Sequence, residues 1–140
     1  MASKIQTVKG TREFYPEQMF ARNFIFEKVR AASEMFGYQE YDGPFIEPLE
    51  LYAAKSGEEL VKKQSFTFED RGGESVALRP ELTPSLARMI AAKQGELTFP
   101  VRWWSFGPFW RYEQPQKGRA REFFQWNIDI LGIDDVLSDA

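Results

Sequence analysis

The feature that most constrains the fold of this 140-residue chain is a pair of long, aromatic, alternating segments. Residues 101–112 and 122–131 are each long enough for a strand, and residues 113–121 between them are polar and basic. Two strands joined by one polar loop are most simply antiparallel neighbours. We therefore predict an α+β fold in which an antiparallel β-sheet is flanked by helices. Gly107 and Pro108 predict a bend or bulge in the first strand.

A long helix is predicted over residues 16–36. Pro16 suits the first helical position, where its missing N–H leaves no bond unmade. Gly37 suits the left-handed residue that follows a helix. Apolar side chains recur in this stretch at roughly the spacing of a buried stripe. The side chains that we expect to face the core are Phe20, Phe24, Val29, Ala32, Met35 and Phe36.

Shorter elements are predicted between this helix and the paired segments, within a single domain that has no repeats or linkers. They are an extended segment at 38–41, a short helix at 49–54, a β-hairpin formed by 66–69 and 75–78, and a helix from Thr83 to Gly95. The hairpin is indicated by the turn sequence DRGG between two alternating runs. In the last helix, Thr83 is expected to be the capping residue and Pro84 the first helical residue.

Histidine and cysteine are both absent, which limits the chemistry more than any other feature of the composition. Without cysteine the chain has neither a disulfide scaffold nor a thiolate metal site. Without histidine it has no imidazole ligand and no Ser–His or Cys–His nucleophile pair. We predict no metal site, and any chemistry must use carboxylates, arginines, lysines, backbone groups or a bound substrate.

Charge and hydropathy exclude two further classes. The net charge of -3 excludes a uniformly basic nucleic-acid-binding domain, although it permits a local basic patch. No apolar run approaches the ~20 residues that a membrane span needs, and the first residues lack the apolar core of a signal peptide. We expect a cytoplasmic protein. Because the chain stops at Ala140 without a cap or tail, we expect a fragment.

Side chains alternate along a strand, so the predicted strand 122–131 has two different faces. One face is entirely apolar and is expected to be core: Phe124, Trp126, Ile128 and Ile130. The other face presents one aromatic ring and three polar side chains: Phe123, Gln125, Asn127 and Asp129. This second face is either a solvated sheet surface or the floor of a ligand pocket, where a few polar groups orient the ligand.

Four cations, Arg111, Lys117, Arg119 and Arg121, are concentrated in and beside the basic loop of an acidic chain. They form either a solvated turn or a phosphate clamp, since the planar guanidinium group suits bidentate contact with phosphate or carboxylate. Arg111 lies at the end of a predicted strand, and it faces the polar strand face if the two strands pair. The ring of Phe123 could then stack on a nucleobase.

The segment LRPELTP at residues 78–84 is a further candidate. Flanking prolines fix the direction of Glu81, which is either an ordinary exposed glutamate or a carboxylate that binds an ammonium group. The chain lacks both the G-x-x-x-x-G-K-[ST] loop and the G-x-G-x-x-G pattern. A nucleotide, if one binds, would therefore need a different scaffold, and an antiparallel sheet with an arginine clamp is one such scaffold.

Four segments carry a resemblance to a known family. They are residues 9–16 (KGTREFYP), 36–47 (FGYQEYDGPFIE), 78–83 (LRPELT) and 109–123 (FWRYEQPQKGRAREF). In this order they resemble the N-terminal signature, motif 1, the amino-acid-binding turn and motif 2 of class II aminoacyl-tRNA synthetases, specifically the histidyl-tRNA synthetase family. The resemblance spans roughly positions 4 to 134, and it implies the class II catalytic-domain fold.

The resemblance implies roles in ATP binding for four residues. Arg111 would bind the amino-acid carboxylate and the α-phosphate, and Arg119 would hold the γ-phosphate. Glu113 would contact the adenine amino group, and Phe123 would stack on adenine. Arg111 and Arg119 are thus the implied catalytic residues, with ATP and Mg²⁺ as the implied cofactors.

For the other substrates, the resemblance implies that Glu81, Thr83 and Gln125 bind the α-amino group of histidine. Asp129 lies where the family commonly has a glutamate facing the imidazole, so its carboxylate is one methylene shorter. Gln116 falls in the loop that approaches the acceptor end of tRNA(His).

The implied function is that of a histidine–tRNA ligase, which converts histidine and ATP to histidyl-adenylate and transfers the histidyl group to tRNA. We expect residues 1–140 to be the N-terminal part of the catalytic domain, with motifs 1 and 2 but without motif 3 and the anticodon-binding domain. We also expect a homodimer through motif 1, and very low aminoacylation by the fragment alone.

Two alternatives stay open. The first is a synthetase-like regulatory subunit of ATP phosphoribosyltransferase, which shares the fold without aminoacylating tRNA. The intact loop at 116–119, together with Glu113, favours a working synthetase over this subunit. The second is a non-catalytic fragment that only self-associates.

Overall fold

The computed structural model describes residues 5–56 and 58–134. Helices and strands alternate irregularly along these residues, which confirms the predicted α+β class. In chain order the elements are α1 (Pro16–Met35), β1 (Gln39–Glu40), β2 (Ile46–Pro48), α2 (Leu49–Ser56), α3 (Glu58–Gln64), β3 (Thr67–Glu69), β4 (Ser75–Leu78), α4 (Thr83–Lys93), β5 (Val101–Trp110) and β6 (Glu122–Leu131).

The two long strands form most of a three-stranded sheet with the order β1–β5–β6. β5 and β6 pair antiparallel along their whole length, whereas β1 pairs parallel with β5, so the sheet is mixed. The predicted bulge is wrong, because the pairing passes through Gly107 and Pro108 without a skipped residue. The carbonyl of Pro108 accepts a hydrogen bond from Arg79 and so points away from β6. The nitrogen of the same strand residue points to the same side, so the missing N–H of proline costs no hydrogen bond with β6.

A second sheet, with the order β2–β4–β3, is wholly antiparallel. β3 and β4 form the predicted hairpin. An Oδ1 atom of Asp70 stabilises its turn by accepting hydrogen bonds from the N–H groups of Gly72 at 2.7 Å and Glu74 at 3.0 Å. Strand β2 and helix α3 were not predicted, since elements this short show no distinct periodicity in a sequence.

Helix α4 covers one face of the mixed sheet and forms the larger core there. Leu82 and Leu86 pack against Tyr41 and Phe109, all of them buried. Phe109 lies directly opposite Phe123 in the strand pairing. This core therefore forms on the face of β6 that the sequence marks as polar.

Helix α1 packs on the opposite face. The ring of Phe26 lies 6.2 Å from that of Trp104 and 5.5 Å from that of Phe106. Near its C-terminal end, α1 presents Ser33, whose hydroxyl accepts a hydrogen bond from the indole N–H of Trp126 at 3.1 Å. These contacts place α1 mainly over the central strand β5.

Two predictions about apolar side chains are wrong as a result. Of the six residues expected in the core along α1 and its C-cap, four are exposed and two are partly buried: Phe20, Phe24, Met35 and Phe36, then Val29 and Ala32. In β6, Trp126 and Ile128 are 44% and 46% exposed. β6 is an edge strand, so a helix that lies over β5 covers it incompletely.

The ends of the helices show one further difference. Thr83 is the first residue of α4 and not its cap; the N-cap is Leu82, with no side-chain capping bond. After α1, Gly37 has the predicted left-handed conformation, with φ of 77°.

Within the part of the chain that the structure describes, no helix is both long and apolar enough to cross a membrane.

Candidate substrate-binding site

Arg111 is held at the point where β5 ends and the basic loop begins. Its Nε donates a hydrogen bond to the carbonyl oxygen of Pro80 at 3.1 Å. Its guanidinium carbon lies 5.0 Å from the centre of the Phe123 ring, within the range of a cation–π contact. Arg111 thus joins the end of β5, the start of β6 and the turn that precedes α4.

The loop itself brings Glu113 and Arg119 together. An Nη1 atom of Arg119 lies 3.1 Å from a carboxylate oxygen of Glu113. Gln116 and Arg119 exchange two backbone hydrogen bonds, of 3.0 and 2.9 Å, across a four-residue turn. Gly118 occupies the third position of this turn with φ of 81°, a conformation that favours glycine. Gln116 is exposed at the end of the loop.

The N-terminal segment supports the loop through Arg121. The backbone N–H of Arg121 donates to the carbonyl oxygen of Gly10 at 2.9 Å, and its Nε donates to the carbonyl oxygen of Glu113 at 2.9 Å. Gly10 has φ of 88°, and a Cβ there would lie 2.7 Å from Cγ of Arg121. The glycine is therefore required for this close approach.

Arg79 fixes the turn that carries Glu81. The guanidinium group is fully buried and lies between the rings of Phe45 and Phe109, at 4.4 and 4.7 Å from their centres. It forms an ion pair with Asp42. Its Nε donates to Pro108 and its Nη1 to the carbonyl of Gly43, each at 3.0 Å.

The backbone of Arg79 completes this junction. Its N–H donates to the carbonyl of Phe45 at 2.8 Å, and its carbonyl accepts from the N–H of Trp110 at 3.1 Å. Gly107 provides room for the side chain, because a Cβ there would lie 2.6 Å from Nη2 of Arg79. One arginine thus ties the two sheets together directly beside the turn at 80–83.

A second buried charge holds α4, the helix that begins at Thr83. The carboxylate of Glu47 on β2 is buried, accepts a hydrogen bond from the hydroxyl of Ser85 at 2.7 Å and pairs with Arg88. The hydrogen bonds from Arg88 involve both oxygens of this carboxylate, and this bonding raises the pKa of Arg88. Thr83 is exposed at the helix start.

The polar face of β6 is partly buried and incompletely hydrogen-bonded. Oε1 of Gln125 and Nδ2 of Asn127 are both inaccessible to solvent and have no partner among the described residues. Further along the same face, Oδ2 of Asp129 accepts a hydrogen bond from the hydroxyl of Tyr41 at 3.0 Å. Buried polar groups are normally paired, so this row is suited to a ligand with polar groups.

Two adjoining clefts bring most of the predicted residues together. The first is lined by Tyr52, Val61, Gln64, Ser65, Pro80, Glu81, Arg111 and Glu113. The second is lined by Arg111, Glu113, Gly118, Arg119, Ala120 and Phe123. Arg111 and Glu113 belong to both clefts and join them. Thr83, Gln116, Gln125 and Asp129 do not line either cleft.

A family model described as Histidyl-tRNA synthetase matches residues 10–140. The chain belongs to the histidyl-tRNA synthetase family. A curated histidine–tRNA ligase from Leptospira biflexa is 52% identical over 128 residues, which cover 91% of this chain and 29% of that protein. Another, from Haloarcula marismortui, is 50% identical over 134 residues, which cover 96% of this chain and 31% of that protein. The chain thus spans about three-tenths of the length of these relatives.

Solved structures confirm the histidyl-tRNA synthetase fold. The histidyl-tRNA synthetase of a Nostoc species superimposes with a TM-score of 0.80 at 27% identity, covering 97% of this chain and 31% of that one. A protein of Bacillus halodurans is described as an ATP phosphoribosyltransferase regulatory subunit/histidyl-tRNA synthetase. It superimposes with a TM-score of 0.83 at 21% identity, covering 99% of this chain and 35% of that one. The latter supports the fold alone.

Three residues with clear positions in the site were missed as site residues by the sequence analysis: Gly10, Tyr41 and Arg79. Arg79 had a usable signal, since a charged residue lies between an apolar strand and a proline. Tyr41 and Gly10 had none, because their partners Asp129 and Arg121 are about a hundred residues away in the sequence. Only long-range pairing reveals them.

Proposed function

We propose that the chain provides the ATP- and histidine-binding part of an enzyme that activates histidine and transfers it to tRNA. The observation that carries this proposal is Arg111, which bridges the Pro80 carbonyl and the Phe123 ring and lines both clefts. Membership of the histidyl-tRNA synthetase family supports the choice of substrates. We also propose that residues 1–140 are the N-terminal part of the catalytic domain, since they contain the segments that resemble motifs 1 and 2.

ATP would occupy the cleft beside Phe123. Adenine would stack on this ring, with its amino group near Glu113, while Arg111 and Arg119 would hold the α- and γ-phosphates. The ion pair between Glu113 and Arg119 is exposed on the arginine side, so solvent screens it and it can open at little cost. On binding of ATP, the ion pair between Glu113 and Arg119 would be replaced by a contact from Glu113 to adenine and a contact from Arg119 to the γ-phosphate.

Histidine would lie toward the turn at 80–83 and the polar face of β6. The carboxylate of Glu81 would bind the α-amino group together with Thr83 and Gln125, and Asp129 would face the imidazole. The orphaned Oε1 of Gln125 suits an ammonium donor. Arg111 would bind the histidine carboxylate beside the α-phosphate, so that both reactants meet at one guanidinium group.

The proposed reaction has two steps. A carboxylate oxygen of histidine attacks the α-phosphorus of ATP, a new P–O bond forms, and the bond to the bridging oxygen breaks as pyrophosphate leaves. A hydroxyl of the terminal adenosine of tRNA then attacks the activated carbonyl carbon, and AMP leaves. This chemistry depends on positioning and charge stabilisation, so the absence of histidine and cysteine is no obstacle.

Mg²⁺ would enter with the phosphates of ATP, where it supplies charge neutralisation. No group of three or more carboxylates that could hold a metal ion exists among the described residues. Mg²⁺ would therefore be held mainly by the phosphates of ATP and by water, as is usual for this ion. Gln116, exposed at the end of the loop, would approach the acceptor end of tRNA(His). We also propose that the protein is cytoplasmic.

The direct test is histidine-dependent exchange of labelled pyrophosphate into ATP, measured on the complete gene product. We expect exchange with histidine and none with the other amino acids. A protein that binds ATP but shows no exchange would contradict the proposal and favour the regulatory subunit. The 140-residue chain, assayed alone, should aminoacylate tRNA far more slowly, and turnover equal to that of the complete product would refute this expectation.

We also propose a homodimer through motif 1. Exposed apolar side chains within motif 1, Phe36 and Ile46, and Met35 directly before it, support a protein partner on this part of the surface. Sedimentation at micromolar concentration should give a dimer, and Met35→Lys should shift it toward monomer. A monomer at all concentrations would contradict this assignment.

A further inference from the structure

Tyr41 brings a phenol hydroxyl to the polar face of β6 from a distant part of the chain. It follows β1, and its backbone N–H donates to the carbonyl of Trp104 at 2.9 Å. Its ring packs on that of Trp103, with 5.3 Å between the ring centres, and only 9% of the residue is exposed. Backbone and ring contacts thus fix the hydroxyl before any ligand binds.

The hydroxyl meets Asp129, which lies directly opposite Trp103 in the pairing of β5 and β6. It donates to Oδ2 of the carboxylate at 3.0 Å. Burial raises the pKa of Asp129, and the bond from Tyr41 opposes that rise, so the contact favours the charged form. Among the hydrogen bonds between described residues, none uses the other oxygen, Oδ1.

The neighbours of Asp129 on the same face point to a ligand in this region. Asn127 and Gln125 lie two and four residues before Asp129 and therefore on the same strand face. Each has a buried polar atom without a partner among the described residues. Asp129 therefore lies at one end of a row in which hydrogen-bonding capacity is buried and unused. Such capacity is costly unless a ligand or water takes it up.

We propose, on the basis of the proposed function, that Tyr41 is a positioning residue that determines specificity in the histidine pocket. It holds Oδ2 of Asp129 so that Oδ1 accepts an N–H of the substrate imidazole. An aspartate side chain has two rotatable bonds, and without the hydroxyl its carboxylate can turn away from the ring. The imidazole, and not ATP, is thus the group whose binding depends on Tyr41.

The test compares Tyr41→Phe with Tyr38→Phe in the complete gene product by histidine-dependent pyrophosphate exchange. Tyr41→Phe keeps the ring that packs on Trp103 and removes only the hydroxyl. We expect it to raise the KM for histidine about tenfold, as the loss of one hydrogen bond to a charged group implies, and to leave the KM for ATP unchanged. Tyr38→Phe, the matched control, should change neither constant.

A double-mutant cycle with Asp129→Ala makes the assignment specific. In the Asp129→Ala background, Tyr41→Phe should have no further effect on the KM for histidine. An unchanged KM for histidine in Tyr41→Phe overturns the proposal, and so does an equal rise in both KM values, which indicates a purely structural role. If the unmodified protein shows no histidine-dependent exchange, the proposed function falls as well; exchange that is intact but insensitive to Tyr41→Phe overturns this inference alone.

Discussion

Strand β5 and helix α1 are both rich in apolar side chains, yet their surroundings differ. On β5, Trp104 and Phe109 point to opposite faces of the sheet and are both fully buried. On α1, Phe20 and Met35 are 77% and 79% exposed. β5 has strands at both edges and a helix on each face, whereas α1 packs on the sheet along one side only. Apolar pattern predicts which side chains share a face, but neighbouring elements decide whether that face is covered.

The largest effect should come from removing a ring on β5. Phe109 packs in the core under α4, so Phe109→Ala should lower the free energy of unfolding by about 3–5 kcal/mol. The same truncation on α1, Phe20→Ala, should change it by about 0.5 kcal/mol or less, because the ring is exposed. Urea denaturation of the chain at low concentration measures both. Equal losses would contradict the contrast between the two elements.

A smaller effect is expected where β5 approaches Arg79. Gly107→Ala places a Cβ only 2.6 Å from Nη2 of Arg79, and we expect it to cost roughly 1–3 kcal/mol of unfolding free energy through overpacking. In an Arg79→Met background, where the guanidinium group is gone, adding Gly107→Ala should cost much less. If the penalty is the same in both backgrounds, the glycine is not there to accommodate Arg79.

The smallest effect concerns Asp129, on the α4 side of the sheet. Burial raises the pKa of its carboxyl above the ordinary 3.8, so the folded chain binds this proton more tightly than the unfolded chain does. Its contribution to stability therefore falls as the pH rises from the ordinary pKa through the raised one. Asp129→Asn removes this loss, so its stability relative to the unmodified chain should increase as the pH rises above the ordinary value of 3.8. A constant or decreasing difference would contradict the burial of the carboxylate.

Local pattern was sufficient for much of the fold. Turn residues and alternation predicted the hairpin of β3 and β4 and the pairing of β5 with β6, because these contacts join neighbouring segments. That pairing also brings Arg111 to Phe123, a central contact of the candidate site. The rest depends on long-range contacts: Arg79 is buried only because Phe45, Asp42 and Pro108 surround it. The sequence shows a charged residue between an apolar strand and a proline, but it does not show which distant residues enclose that side chain.

The central claim is that Arg111, at the junction of the two clefts, binds ATP. The most direct measurement is an ATP titration of the complete gene product, followed by tryptophan fluorescence, for Arg111→Ala and for Arg102→Ala, an exposed arginine on the same strand. We predict that Arg111→Ala raises the Kd for ATP about tenfold or more, since hydrogen bonds to a charged group are lost, and that Arg102→Ala leaves it unchanged. The same Kd for Arg111→Ala as for the unmodified protein would contradict the claim.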